Sequence, residues 1–253
     1  MRFYARSPWL QAWTAPLQSR LLFAIAASSS CRASQNVSTR QASRSRNSFD
    51  PATCEIRLVR VRHGHNHGRE PAFTNGWWTK PELSGGGTLI DEGVHAFDFL
   101  RWLFGNPQTV QANISFFEGL AVEDAAIAML RWQSGLLAEV STSWTFAAGH
   151  DSVEVYGSKA TVLLAGVDLA SRNLSGPSYL RLARNDAVCW ETFDIVPRFA
   201  VGEFHHAVAT AFVDYLLGSD DPPSSALDGK AALAIVVAAY KSARNGAAIT
   251  ISY

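Results

Sequence analysis

The first regular pattern along the chain is EIRLVRVRH (55–63), where Ile56, Leu58 and Val61 stand among polar partners. This imperfect alternation predicts a β-strand. A long polar connection follows, GHNHGREPAFTNGWWTKPELSGGG, too long and too rich in Gly and Pro to be an idle turn. From Thr88 to Phe104 the period changes. Ile90, Val94, Phe97 and Phe104, with Leu100 and Leu103, form an apolar stripe at helical spacing, and Gly105 with Pro107 supplies a stop. Thr88 or a glycine is the expected cap.

Beyond the helix the pattern turns to strands. TVQANISFF (109–117), AAIAMLRW (125–132) and LLAEVSTSWTF (136–146) are β-rich, with QSG making a tight hairpin between the last two. SVEVYGSKATVLLAG (152–166) predicts a second hairpin turning at Gly157 and Ser158, followed by strands in SYLRLAR and CWETFDIV. Two helices then come in sequence. EFHHAVATAFVDYLLG carries Phe204, Val208, Phe212 and Leu216 in register, and DGKAALAIVVAAYKSARNG has Asp228 as the expected cap and Gly246 as the stop. AAITIS supplies a last strand. The order predicts an α+β domain: a large, predominantly antiparallel, open-faced sheet with helices on one face and the other face free for a second copy.

Charge divides the chain. The net charge is zero over 253 residues and the pI is near 7.1, so neither nucleic acid nor an anionic membrane is an expected partner. Residues 1–49 nevertheless hold seven Arg and no Lys, Asp or Glu, leaving the remainder acidic by seven. Residues 1–53 are expected to be a disordered or spurious Arg- and Ser-rich leader. An organellar transit peptide is the alternative that this composition leaves open. The folded domain is expected over 54–253. Cys31, Cys54 and Cys189 form no Cys-x-x-Cys pair, which points away from a disulfide framework and toward a reducing, cytoplasmic setting. No apolar run is long enough to span a membrane.

Candidate chemistry lies in two places. His63, His65 and His67 alternate in the long connection, but no carboxylate or Cys stands at ligand spacing beside them, so they read as a solvated or substrate-facing polar loop and no metal is assigned. On the helix, Asp91, His95 and Asp98 recur at i, i+4 and i+7, away from the apolar stripe. An acid one turn before an imidazole can orient it and raise its pKa. Spacing alone favours an ordinary N-terminal acid and a satisfied helix histidine over a proton-transfer unit. The glycine triplet could offer backbone amides to an anion, but it lacks the G-x-G-x-x-G fingerprint; close passage to a neighbouring backbone or substrate is the preferred reading.

Four blocks in order, GGGTLIDEGVHAFDFLRWLFG, VEDAAIAMLRWQSGLLAEVSTSW, VEVYGSKATV and DGKAALAIVVAAYKSARNGAAITI, together resemble the C-terminal domain of the glucose-fructose oxidoreductase, inositol dehydrogenase and rhizopine-catabolism family, Gfo/Idh/MocA. The resemblance covers about residues 55–253. It implies an NAD(P)-dependent sugar or polyol dehydrogenase in which Asp91 and His95 lie in the active site, the histidine serving as acid or base toward the substrate hydroxyl. Trp77, Trp78 and the glycine loop would border the substrate pocket.

Complete members of that family begin with a Rossmann domain and carry a Glu-Lys-Pro motif. Residues 1–54 contain neither, and Lys80 in TKP stands just before the glycine triplet, where the family's loop lies, so it is not taken for the catalytic lysine. A truncated chain is therefore expected, unable to bind NAD(P) in the usual way alone. Two readings follow: the substrate-binding half of an oxidoreductase, as a fragment or working with a separate Rossmann-containing chain, or a non-catalytic carbohydrate-binding or oligomerisation domain.

Overall fold

A computed structural model of the chain describes residues 55–146, 151–166, 179–184, 189–194, 203–218 and 224–253. The expectations for residues 1–53 fall outside these. Among the described residues nine strands form one sheet: β1 (Ile56–Gly64), β2 (Thr109–Ser115), β3 (Ala125–Arg131), β4 (Leu137–Ser143), β5 (Ser152–Gly157), β6 (Ala160–Ala165), β7 (Tyr179–Arg184), β8 (Glu191–Asp194) and β9 (Ile249–Thr250). Their order is β8-β7-β6-β5-β1-β4-β3-β2-β9. Neighbours pair antiparallel, except that β1 runs parallel to β4. The first strand thus lies between two strands that are consecutive in sequence.

The helices are α1 (Thr88–Asp91), α2 (Gly93–Phe104), α3 (Glu203–Leu216) and α4 (Ala226–Asn245). The long connection from β1 is not featureless. It holds short helical turns at His67–Arg69, Pro71–Thr74, Trp77–Thr79 and Pro81–Ser84. The single helix predicted from Thr88 is divided at Glu92, whose backbone stays helical (φ −94°, ψ −38°), and it stops at Gly105 in a positive-φ conformation (φ 76°) as expected. Helix α4 begins two residues before its predicted cap. Ser225 is the N-cap and Asp228 is the third helical residue, their side chains and backbones exchanging hydrogen bonds in a capping box.

Period-2 burial explains how the sheet meets its helices. Val59, Val61 and His63 on β1, Ala126, Ala128 and Leu130 on β3, Ala138 and Val140 on β4, and Val153 and Val155 on β5 are buried. In the core cluster, Phe97 and Leu100 of α2 and Ile235, Val236 and Ala239 of α4 join these strand residues. The backbone N–H of Ala112 donates to the Ser242 hydroxyl at 3.0 Å, tying α4 to β2. At about 25 cal/mol per Å² of apolar surface, each fully buried Leu, Ile or Phe contributes roughly 2 kcal/mol.

The opposite side of these strands is mixed. Leu58, Ile127, Met129 and Leu137 are exposed there, and Leu58 pairs with Leu137 in the parallel ladder. Arg60 lies between Glu139 and Glu154, its rung partners on β4 and β5, at 3.2 and 3.5 Å. Leu58 therefore belongs to the open face, one residue out of phase with the buried set. On α3 the predicted register also departs from expectation, since Phe212 and Leu216 are exposed.

Candidate active site

Alternation along β1 is what builds the site. Continuing the buried series Val59, Val61 by two places puts the side chain of His63 inside, where it is fully buried. The chain then keeps company with the end of β4: His65 N–H donates to Ser143 O, Phe146 N–H to His65 O and Gly68 N–H to Trp144 O, at 2.8–3.0 Å. These bonds hold His65 beside Trp144, their rings near parallel with centroids 6.4 Å apart. Neither His63 nor His65 is solvated. Of the three alternating histidines only His67 is exposed, paired with Glu70 at 2.9 Å.

The buried histidines meet carboxylates from distant parts of the chain. His63 Nδ1 is 3.0 Å from Asp151 Oδ2, and its Nε2 is 2.9 Å from Glu92 Oε2. The other oxygen of Asp151 accepts from the backbone N–H of Gly64 at 3.0 Å. Burial alone would lower the His63 pKa, but the Asp151 and Glu92 carboxylates overcome it and push it up to about 10. His63 is therefore an imidazolium at neutral pH.

Glu92 Oε1 lies 3.3 Å from His65 Nε2, and Asp91 Oδ2 lies 3.9 Å from the same nitrogen. Asp91 Oδ2 also accepts from the Trp144 indole Nε1–H at 3.0 Å. The Asp91 side chain remains 31% exposed and His95 is exposed, with its ring 6.1 Å from that of His63 in an edge-to-face arrangement. Thus the predicted pair Asp91 and His95 stands at the mouth of a buried polar cluster. Asp98, the third member of the predicted face, is turned to Arg101 instead, at 3.1 Å.

His65, Asp91 and Glu92 present ligand atoms within 4.8 Å of one another, close enough to consider a metal ion. Sequence spacing placed no carboxylate beside the histidines; folding brings two. The tautomer argues against a metal there, however. The backbone N–H of His67 donates to His65 Nδ1 at 3.0 Å, so the proton of the neutral ring is on Nε2, where a metal would need a lone pair.

The glycine triplet has a protein anion of its own. Buried Glu123 accepts from Gly87 N–H through Oε2 and from Leu89 N–H and the Tyr240 hydroxyl through Oε1, at 2.7–3.0 Å. Gly87 is pressed so closely to this segment that a Cβ would fall 1.8 Å from Glu123 O, and no side chain fits. Close passage, rather than capture of a free anion, is what these glycines provide. Beside this helix start, a row of rings leads from Trp144 through Phe73 and Trp78 to Trp77, with successive centroids 4.9, 5.2 and 5.0 Å apart.

An open-faced mixed sheet thus carries, on its corner helices, an Asp and a His over a buried polar cluster. Residues 52–163 match the GFO/IDH/MocA C-terminal domain. It is 28% identical over 191 residues to 1,5-anhydro-D-fructose reductase of Ensifer adhaerens, covering 72% of this chain and 52% of that protein. To scyllo-inositol 2-dehydrogenase (NAD(+)) of Bacillus subtilis (strain 168) it is 27% identical over 171 residues, covering 64% and 46%. The chain spans about half the length of these curated relatives.

Among solved structures, its fold matches aldose-aldose oxidoreductase from Caulobacter crescentus complexed with glycerol, with a TM-score of 0.63 and 23% identity over 78% of this chain and 56% of that one. A levoglucosan dehydrogenase in complex with NADH and levoglucosan gives a TM-score of 0.65 at 18% identity, over 79% and 59%.

NAD(P) is implied by the family, but the described residues do not fit it. Their one glycine-rich helix start, where backbone amides could meet a pyrophosphate, is filled by the Glu123 carboxylate. Lys80 is exposed before the triplet. Sequence reasoning missed Glu92, Asp151 and Glu123. The alternation that buries His63 was available in Val59-x-Val61-x-His63; nothing local marked the acids, whose partners are remote in sequence.

Proposed function

We propose that this domain forms the substrate side of a sugar or polyol oxidoreductase, in which His95 takes up the proton released from a substrate hydroxyl as that carbon is oxidised. Asp91 is the carboxylate that orients the reacting groups. The observation carrying this reading is the placement of accessible His95 and partly exposed Asp91 at one corner, the latter held by Trp144, in a chain whose relatives bear the names of sugar and inositol enzymes. An imidazole near neutrality is suited to exchange a hydroxyl proton. The family's nucleotide cofactor would be held by residues outside the described ones or by a separate Rossmann-containing chain.

Calorimetric titration of the full chain with myo-inositol and a panel of monosaccharides tests it. Binding is expected to weaken at least tenfold in Asp91→Ala and His95→Ala, with the melting temperature unchanged in His95→Ala and lowered in Asp91→Ala, which strands the Trp144 indole N–H. If no compound in the panel binds, or both variants bind as the parent does, the reading is wrong.

The same reading gives the open sheet face to a second copy of the chain. Leu58, Ile127, Met129 and Leu137 provide its apolar part, with the Arg60 network among them. Light scattering is expected to show a dimer or larger assembly, and Met129→Lys with Leu137→Lys to shift it toward monomer. A monomeric parent at micromolar concentration rejects this assignment.

A further inference from the structure

Behind the Asp91–His95 corner, Asp151, His63, Glu92 and His65 follow one another in a buried row, each in polar contact with the next. The protons in this row are determined by geometry. His63 presents both ring nitrogens to carboxylate oxygens: Nδ1 is hydrogen-bonded with Asp151 at 3.0 Å, and Nε2 lies 2.9 Å from Glu92 as a close ion pair without hydrogen-bond alignment. A neutral imidazole has one N–H and one lone pair, so one of these contacts would set a lone pair against an ionised carboxylate. Protonation of both nitrogens removes the conflict. His65 is fixed from the other side, because its Nδ1 receives the N–H of His67 and its Nε2–H must face outward, toward Glu92 Oε1 at 3.3 Å and Asp91 Oδ2 at 3.9 Å.

Glu92 is therefore the pivot. One oxygen is anchored by His63 and the other sets the ring plane of His65, which lies between Glu92 and the carboxylate proposed to act on substrate. Position in the fold makes the anchor rigid: His63 is on a strand paired on both sides, and Glu92 joins the two helices α1 and α2.

We propose that Asp151, His63 and Glu92 are positioning residues, which through His65 fix the place of the Asp91 carboxylate, so that the rigidity of the central strand is transmitted to the corner where substrate is met. For its consequence on turnover this rests on the function proposed above; its structural content does not. The row moves no proton in a net sense. It holds the Nε2–H edge of His65 in place beside Asp91, whose described hydrogen-bond donor is Trp144.

The test uses the full chain with ¹⁵N-labelled histidine and tryptophan. In the parent, His63 is expected to show both ring N–H signals through neutral and mildly alkaline pH, and His65 to keep the Nε2–H tautomer. Glu92→Gln should abolish one His63 N–H signal, change the tautomer balance of His65 and shift the Trp144 indole N–H signal that reports on Asp91. Asp151→Asn is the second variant, for the case that Glu92→Gln does not fold. It touches neither His65 nor Trp144, yet their signals should still move.

A His63 that titrates as a solvent-exposed histidine overturns the proposal. So do changes in either variant confined to His63 and Gly64, since a purely local structural role would produce those alone. These readouts need neither sugar nor turnover. The expected signals with no sugar binding would remove only the functional reading, and sugar binding with unchanged Trp144 and His65 signals would remove only this one.

Discussion

Between about pH 6.5 and 9.5 the protein is expected to lose stability steadily as pH rises, and His63→Gln to abolish most of that slope. The cause is the raised pKa of His63. In the unfolded chain its imidazole releases its proton near 6.5, whereas in the folded protein Asp151 and Glu92 hold the proton until about pH 10. The folded state thus binds more protons than the unfolded state across this window. The contribution is fully present below the unfolded value and is lost as pH climbs through the folded one.

At about 1.4 kcal/mol per pKa unit, the loss across this window is on the order of 4 kcal/mol. Urea midpoints measured across the window, for parent and variant, give the comparison. The window stops short of the tyrosine range, because burial raises the pKa of Tyr240 and Tyr253 as well and they would add their own slope above it. Parallel slopes for the two proteins would mean that His63 is not held as a cation.

A second large loss is expected at Glu123. Replacing it by Ala strands the N–H groups of Gly87 and Leu89 and the hydroxyl of Tyr240, all of which donate to its two oxygens. An unsatisfied buried donor costs roughly 1–3 kcal/mol, so three of them, reduced by whatever water enters, point to a loss of about 3–5 kcal/mol. Tyr240→Phe removes one donor and leaves Glu123 Oε1 with the Leu89 N–H, and should cost about 1 kcal/mol. Glu123→Gln is expected to fall between, since one end of its amide offers N–H groups where acceptors are needed. Chemical denaturation of the three variants orders them. A loss under 1 kcal/mol in Glu123→Ala would show that the glycine turn holds itself.

Much of the fold could be read from periodicity, and the reasons are local. β-rich runs bounded by turn signals marked β2 through β6, and the helical stripe from Ile90 to Phe104 marked α2, because each signal lies within neighbouring positions. Asp91 and His95 were visible as an i, i+4 pair, and the structure puts them at one corner. Leu58 misled the phase of β1. A large apolar residue invites assignment to the core, but this one lies on the open face opposite Leu137, a partner 79 positions away.

Glu92 and Asp151 were not legible for the same reason. Each is an ordinary polar residue until β1 brings His63 between them. A capping box can be read within four residues; a carboxylate that neutralises a histidine 88 positions distant is fixed only by topology.

That topology imposes an order of assembly. β2, β3 and β4 can pair through short connections as soon as they exist, and so can β5 and β6. Neither group can join the other directly, because β1 must lie between β4 and β5. The strand made first thus has to wait for partners made later, and its insertion is a nonlocal event of the slow kind. Until it occurs, β4 and β5 each present an unpaired edge, the surface most open to wrong association during folding. The same insertion delivers His63 to Asp151 and Glu92, so a kinetic intermediate with both hairpin groups formed would have most of its sheet and none of its chemistry.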